Sequence, residues 1–265
     1  MRAFCFTVDL DRDVNLEIPD QDAAGSLDRG QGTAPRFVSA AKGLALLTEL
    51  LDDLRLPATF FAEGRTLEML RDQAGCLAGY EVGVHGYDHE NLKRLEPDAA
   101  AAAITHSCQA VRDVTGRRPT CFRAPYLKTP RNLEGLLVAQ GIRCDSSTYA
   151  DAADCFPQML PGWVAEVPVT TGRDSAGKKI AGYLWPLHEG ARVPQDYVDM
   201  VQQVPEGGVL TLADHTWHLV EARAGGILSA EALAQNLDST RAVLEGVLDA
   251  GLLTKTVSEA AQLAR

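Results

Sequence analysis

The chain is poor in the features that assign a protein quickly. No two of its six cysteines (Cys5, Cys76, Cys108, Cys121, Cys144 and Cys155) are spaced as Cys-X-X-Cys, which leaves zinc-finger and thioredoxin-like sites without support. Several lie in apolar runs, where a free cysteine packs as a small core residue, and scattered cysteines in a chain of this size fit a reducing compartment. No stretch approaches the roughly 18 uninterrupted apolar residues of a membrane-spanning helix. The opening Met1-Arg2-Ala3-Phe4-Cys5-Phe6 turns polar by Asp9 and lacks the apolar core and cleavage site of a secretory signal. The expected address is therefore cytoplasmic. Basic residues are in deficit, 25 against 36 acidic, for a net charge of −11. That balance removes the electrostatic basis for holding nucleic acid or an anionic membrane surface. No Gly-X-Gly-X-X-Gly follows the first apolar run, so a dinucleotide-binding fold loses its main support. No internal repeat or linker divides the chain, and one domain over residues 1–265 is expected.

What is present is a regular alternation. With 46% apolar residues a large core can be buried. Residues 3–9 read as a buried strand, followed by a long polar Gly-, Asp- and Gln-bearing loop to about residue 35, of a length often tied to function. Leu44, Leu47, Leu51 and Leu54 recur at helical spacing and predict a helix over 36–55. Strands follow at 58–61, 81–84, 120–122, 142–145, 164–168 and 209–212, with helices over 65–78, 97–114, 130–140, 194–203 and 229–249 and a last strand–helix pair. A Gly-, Lys- and Pro-bearing stretch covers about 171–193. Repeated strand–helix units imply a parallel sheet with helices outside, either a closed or nearly closed barrel or an open doubly wound sheet.

Ligand-type residues fall at the C-terminal ends of these strands: Asp9 and Asp11, His85 and His89, Arg123, Asp145, and Asp214 with His215. In parallel α/β barrels that edge carries the active site. His85 and His89, four apart, can face one way on a helical turn, and imidazole suits zinc and similar ions. A carboxylate from another strand completes a set of three that leaves a coordination position open. Alone, the histidine spacing is better explained by two unrelated surface or core residues; its coincidence with the other strand ends favours a metal. Asp9 and Asp11 share a face of an extended strand, so one can bind metal while the other accepts a proton. Arg123 can hold a carboxylate bidentately or form a structural ion pair. His106 reads as a surface or packing residue, His188 as a loop residue, and Trp163 and Trp217 as packing residues or sugar platforms.

Six blocks together resemble the polysaccharide deacetylases with the NodB homology domain, carbohydrate esterase family 4-like. They are Thr7-Val8-Asp9-Leu10-Asp11, Leu56-Pro57-Ala58-Thr59-Phe60-Phe61, Glu81 through His89, Phe122-Arg123-Ala124-Pro125-Tyr126, Asp145-Ser146-Ser147 and Leu210 through His215. The Asp-X-Asp spacing is similar to a subset that includes peptidoglycan deacetylase-like and lipid-linked aminoarabinose deformylase-like proteins. The resemblance implies a distorted (β/α) barrel and hydrolysis of an N- or O-acyl group, the expected reaction being removal of an acetyl or formyl group from an N-acylated sugar or sugar conjugate. It implies a metal triad of Asp11, His85 and His89, Asp9 as general base, Arg123 as the residue holding that base, the Tyr126 N–H as oxyanion donor and His215 as general acid. His218, three residues on, is the alternative acid. The donor set accepts zinc first, with cobalt, nickel, manganese or iron also compatible. A soluble, lipid-linked or nucleotide-linked N-acyl sugar is the expected substrate. The competing readings are a hydrolase of a non-sugar amide or ureide, allantoinase-like; a catalytically inactive carbohydrate-binding barrel; and an unrelated α/β enzyme whose histidines never converge.

Overall fold

A computed structural model describes residues 1–13 and 35–264, so most of the long loop expected before the first helix lies outside the described residues. The chain runs β1 (Ala3–Leu10), α1 (Val38–Leu54), β2 (Ala58–Ala62), α2 (Gly64–Met69), β3 (Glu81–Val84), α3 (Pro97–Thr115), β4 (Cys121–Phe122), α4 (Leu133–Ala139) and β5 (Cys144–Asp145). Short strands β6 (Tyr149–Asp151), β7 (Gln158–Leu160), β8 (Val164–Glu166), β9 (Val169–Arg173) and β10 (Lys179–Ala181) follow, then α5 (Trp185–His188), α6 (Pro194–Val198) and β11 (Val209–His215). The hairpin β12 (Glu221–Ala222) and β13 (Gly226–Ile227), α7 (Ala230–Asp249), β14 (Leu253–Thr254) and α8 (Val257–Ala261) complete it.

The main sheet has the order β11-β1-β2-β3-β4-β5-β8-β7, parallel except for the terminal β7–β8 pair, with β14 added beside the start of β1. A second small sheet, β10-β9-β6, is drawn against β11 by Tyr183, which bridges Ala213, and by Gly182, which donates to Thr170 and accepts from Ala213. The result is a curled, incomplete barrel, the distorted (β/α) barrel expected. Two predicted helices are shorter than their periodicity suggests. Each passes into a 3₁₀ turn, Arg71–Leu77 after α2 and Asp199–Gln203 after α6. In the first, Gly75 lowers helix propensity. The 171–193 stretch holds β10 and α5, elements too short to carry a period.

Strand β1 shows how the barrel becomes a site. Phe4, Phe6, Val8 and Leu10 belong to the core cluster that also contains Leu44, Leu47 and Leu51 of α1. The alternate residues point into the barrel, as strand period two requires. There Ala3 and Cys5 pack with Phe61, Cys121, Cys144 and Val257 of α8 as an apolar floor. Above it the same face turns polar through Thr7, Asp9 and Asp11, all buried. All six cysteines are free, and burial pushes the thiols of Cys5, Cys121 and Cys144 up, so these serve as packing.

Helix α1 meets the turn after β11 at Gly43. A Cβ built there would lie 1.8 Å from the carbonyl oxygen of Thr216, the residue after His215. Helix propensity alone would make Gly43→Ala stabilising by about 1 kcal/mol. The clash predicts the opposite sign, a loss of about 1–3 kcal/mol, read as a lower urea midpoint.

Candidate active site and metal centre

The parallel register gathers the sequence-predicted residues at one mouth. Asp9 is the cross-strand neighbour of His215 on one side and of Phe61 on the other. The ladder then steps outward: His85 N–H donates to Ala62 O, Arg123 N–H to Val84 O and Ser146 N–H to Phe122 O, each at 2.9 Å. Asp9, Asp11, His85, His89, Tyr126 and His215 all line one cleft of about 230 Å³.

Residues 9–13 place four charged side chains in this mouth, all buried, and each needs an account. Asp9 Oδ1 accepts from Arg123 at 2.8 Å and its Oδ2 from the Tyr183 hydroxyl at 2.9 Å. Burial pushes the Asp9 carboxyl up, but the Arg123 guanidinium, with His85 and His215, outweighs it and holds the pKa at about 2. Arg12 is clasped by Glu63 and by Asp88, the latter at 2.7 Å. Asp13 accepts from the N–H groups of Ser39 and Ala40 and so caps the first turn of α1 from outside the helix. Asp11 is different: its Oδ1 is buried with no hydrogen-bond partner. Burial, with Asp9 and Glu63 nearby, pushes its carboxyl well up.

Donor atoms of Asp11, His85 and His89 lie within 4.8 Å of one another. The His85 Nδ1–H donates to Arg123 O at 2.8 Å, which leaves Nε2 as the lone-pair nitrogen. Burial pushes both imidazoles down, toward the neutral form that ligates. An orphaned carboxylate oxygen beside two neutral imidazoles fits a divalent cation, so these residues suit the group expected of them. One detail of the expectation is corrected. The histidines do not share a helical turn. His85 directly follows β3, and the chain doubles back through positive φ at Gly86 (70°) and His89 (55°). A side chain at Gly86 would meet Glu90 and Pro125 as well as carrying that φ.

Arg123 is the centre of the support. Its guanidinium also donates to Thr7 Oγ1, Ser146 O and Ser146 Oγ. Ser147 Oγ accepts from Ala124 N–H, and Asp145 accepts from Ser146 N–H and Ser147 Oγ. Asp145 therefore holds the Arg123 loop and does not enter the cleft. Tyr126 follows in a turn closed by Leu127 N–H to Ala124 O, with its own φ at 58° and its ring edge-on to His89.

His215 Nε2 lies 3.7 Å from Asp9 Oδ2, and its ring stacks on Tyr183. His218 instead places Nε2 2.8 Å from Glu189, so the geometry separates the two histidines. Asp214 accepts from His215 N–H and lies 3.0 Å from His188 Nε2, which makes it a buried strand-end anchor. His188 is thus in a short helix rather than a loop, and it faces Asp214. His106 stacks on Tyr87 and Trp163 is exposed, both outside the cleft. Sequence reasoning misses Tyr183 and the Glu63–Arg12 clasp. Glu63 can be found, since it ends β2 as the other ligands end their strands. Tyr183 sits in a segment with no pattern.

Removing the guanidinium while Asp9 stays buried leaves an unpaired charge. Arg123→Met is expected to cost about 3–5 kcal/mol, with much of it recovered in Arg123→Met/Asp9→Asn. Because the folded pKa of Asp9 is depressed, the pair's contribution is full above the ordinary carboxylate pKa of about 4. It is lost as pH falls toward about 2. Urea titrations of both variants at pH 7 and pH 3 read this as a difference that shrinks on acidification.

Residues 39–144 match the family model described as polysaccharide deacetylase. A peptidoglycan deacetylase of Helicobacter pylori is 33% identical over 124 residues, which is 46% of this chain and 42% of that protein. The match thus spans less than half the length of that relative. Among solved structures, a protein described as a polysaccharide deacetylase from Mycobacterium smegmatis superposes with a TM-score of 0.64 at 22% identity, covering 98% of this chain and 89% of that one. A Puue allantoinase reaches a TM-score of 0.64 at 14% identity, covering 99% and 89%. No described helix is long and apolar enough to cross a membrane. Residues 39–144 are thus similar to the polysaccharide deacetylase family, and the whole chain shares the fold of a solved structure described as a polysaccharide deacetylase.

Proposed function

We propose that the protein is a metal-dependent hydrolase that removes an acetyl or formyl group from the nitrogen of an acylated sugar. The observation that carries this is the Asp11 carboxylate, the one member of a buried charge run with an orphaned oxygen, set beside His85 and His89. A divalent cation bound there supplies polarisation of an acyl carbonyl and lowers the pKa of water toward about 7.

The chain's own residues divide the remaining work. Asp9 takes the proton of the attacking water, and Arg123 keeps it ionised and aimed. The Tyr126 N–H, in the turn after Arg123, donates to the carbonyl oxygen as negative charge develops. His215, with Nε2 3.7 Å from Asp9 Oδ2, protonates the leaving amine. Tyr126, Tyr149 and Trp185, each partly exposed at the cleft, offer aromatic faces for a sugar ring.

The test joins metal content to acid release. Wild type purified with metal is expected to hold close to one equivalent of divalent ion and to release acetate or formate from N-acyl sugars. His85→Ala loses both. Asp9→Asn and His215→Ala keep the metal but lose about 10²–10⁴ in kcat. The panel includes a cyclic ureide, because an allantoinase shares the fold equally well. Turnover of the ureide alone would transfer the site to that chemistry. Metal without hydrolysis of any substrate would make the barrel a binding module.

A further inference from the structure

We propose that the mouth of this cleft carries an anion subsite centred on Arg223, so that the favoured substrate is an N-acyl sugar bearing a carboxylate or phosphate. The inference takes the reacting amide from the function proposed above, while the subsite itself rests on a separate wall of the cleft.

That wall is a series of near-parallel planes leading outward from His215. Trp217 stacks on His218 with centroids 4.1 Å apart and planes 14° apart. His218 is parallel to Trp185 within 5° at 6.5 Å. The Arg223 guanidinium caps the series, with Cζ 5.6 Å from the Trp185 ring centroid. The base of Arg223 is fixed as well. Glu189 Oε1 accepts from its backbone N–H at 2.8 Å and lies 2.8 Å from His218 Nε2. Two residues earlier, Glu221 is held by Arg36 and by the Ser39 hydroxyl, which anchors the hairpin to α1.

The cations of the site differ in what occupies them. Arg12 is committed to Glu63 and Asp88, and Arg123 to Asp9 and Ser146. Among the described residues, the Arg223 side chain meets the Trp185 ring and forms no ion pair. A guanidinium seated over an aromatic ring is weakly hydrated and loses little on meeting an anion, to which it presents a fork of donors. In a chain of net charge −11, the long-range field disfavours anions. A substrate anion therefore needs a local cation at the cleft, and Arg223 is placed to be one.

Affinity is read by quenching of tryptophan fluorescence in the metal-loaded protein, which does not require turnover. The probes are N-acetylglucosamine, N-acetylglucosamine 1-phosphate and N-acetylmuramic acid. At least one charged sugar is expected to bind about tenfold or more tightly than the neutral one, the size of a charge-assisted contact. Arg223→Gln should close that gap to about twofold, and Arg223→Lys should restore part of it. Preference for the phosphate or for the carboxylate sugar identifies the source of the anion, and preference for both leaves the shared chemistry as the determinant. Equal affinities in wild type, a gap that survives Arg223→Gln, or no binding of any probe would overturn the proposal. Acid release from the same sugars is measured separately, so failure of the catalytic reading stays distinguishable from failure of the subsite.

Discussion

A carboxylate enclosed in a barrel must be matched by charge or neutralised, and the match of Asp9 by Arg123 organises most of what surrounds it. The guanidinium reaches Asp9, Thr7 and both oxygens of Ser146, so β1, β4 and the turn after β5 are tied at one point. The backbone of the same residue has a second role. Its carbonyl accepts from His85 Nδ1–H and so sets which nitrogen of that ring faces the proposed metal position. The orientation of the proposed base and that of a proposed ligand are therefore coupled through one buried arginine. Arg123 is fully buried, and the donors and acceptors around it are in turn fixed by Ser147 and Asp145.

The alternation of β1 explains why one strand can serve both core and chemistry. Its outward residues join the layer beneath α1, while its inward residues pass from an apolar floor to a charged mouth within eight residues. Beyond the strand the charges continue and each finds its own solution: a guanidinium for Asp9, a carboxylate clasp for Arg12, a helix end for Asp13. The exception, Asp11, is informative because its neighbours are so completely paired. Within residues 9–13, where every other charge is balanced by protein, an orphaned carboxylate oxygen points to a balancing group that the chain does not encode.

The parts legible in sequence are those governed by strong local rules. Asp9, Asp11, His85, His89, Arg123 and His215 each lie at or beyond the C-terminal end of an apolar strand, and parallel register brings such ends together. The leucine spacing marks α1, and Gly116 marks the end of α3. The manner of the His85–His89 convergence is not legible, because a four-residue interval suits a helical turn as readily as a loop with two residues at positive φ. Tyr183 and His188 are beyond reach. Tyr183 follows a three-residue strand, and its hydroxyl meets Asp9 across 174 positions of sequence. His188 finds its partner, Asp214, only after β11 has been laid down beside β1. The early strands carry their information in composition and period; the later segments carry theirs in tertiary closure.

That division has a functional reading. A protein described as a polysaccharide deacetylase and an allantoinase superpose on this chain with the same TM-score, so fold cannot choose among substrates. The groups that differ between such substrates lie away from the reacting carbonyl and must be read at the rim. Here the rim is built from Tyr149, Trp185, Trp217 and Arg223, drawn from the poorly patterned second half of the chain. The proposed chemistry is carried by strand ends that the sheet itself places. In the proposed reading, selectivity falls to segments that fold onto that frame, which is why the proposed reacting centre is easier to read than its substrate.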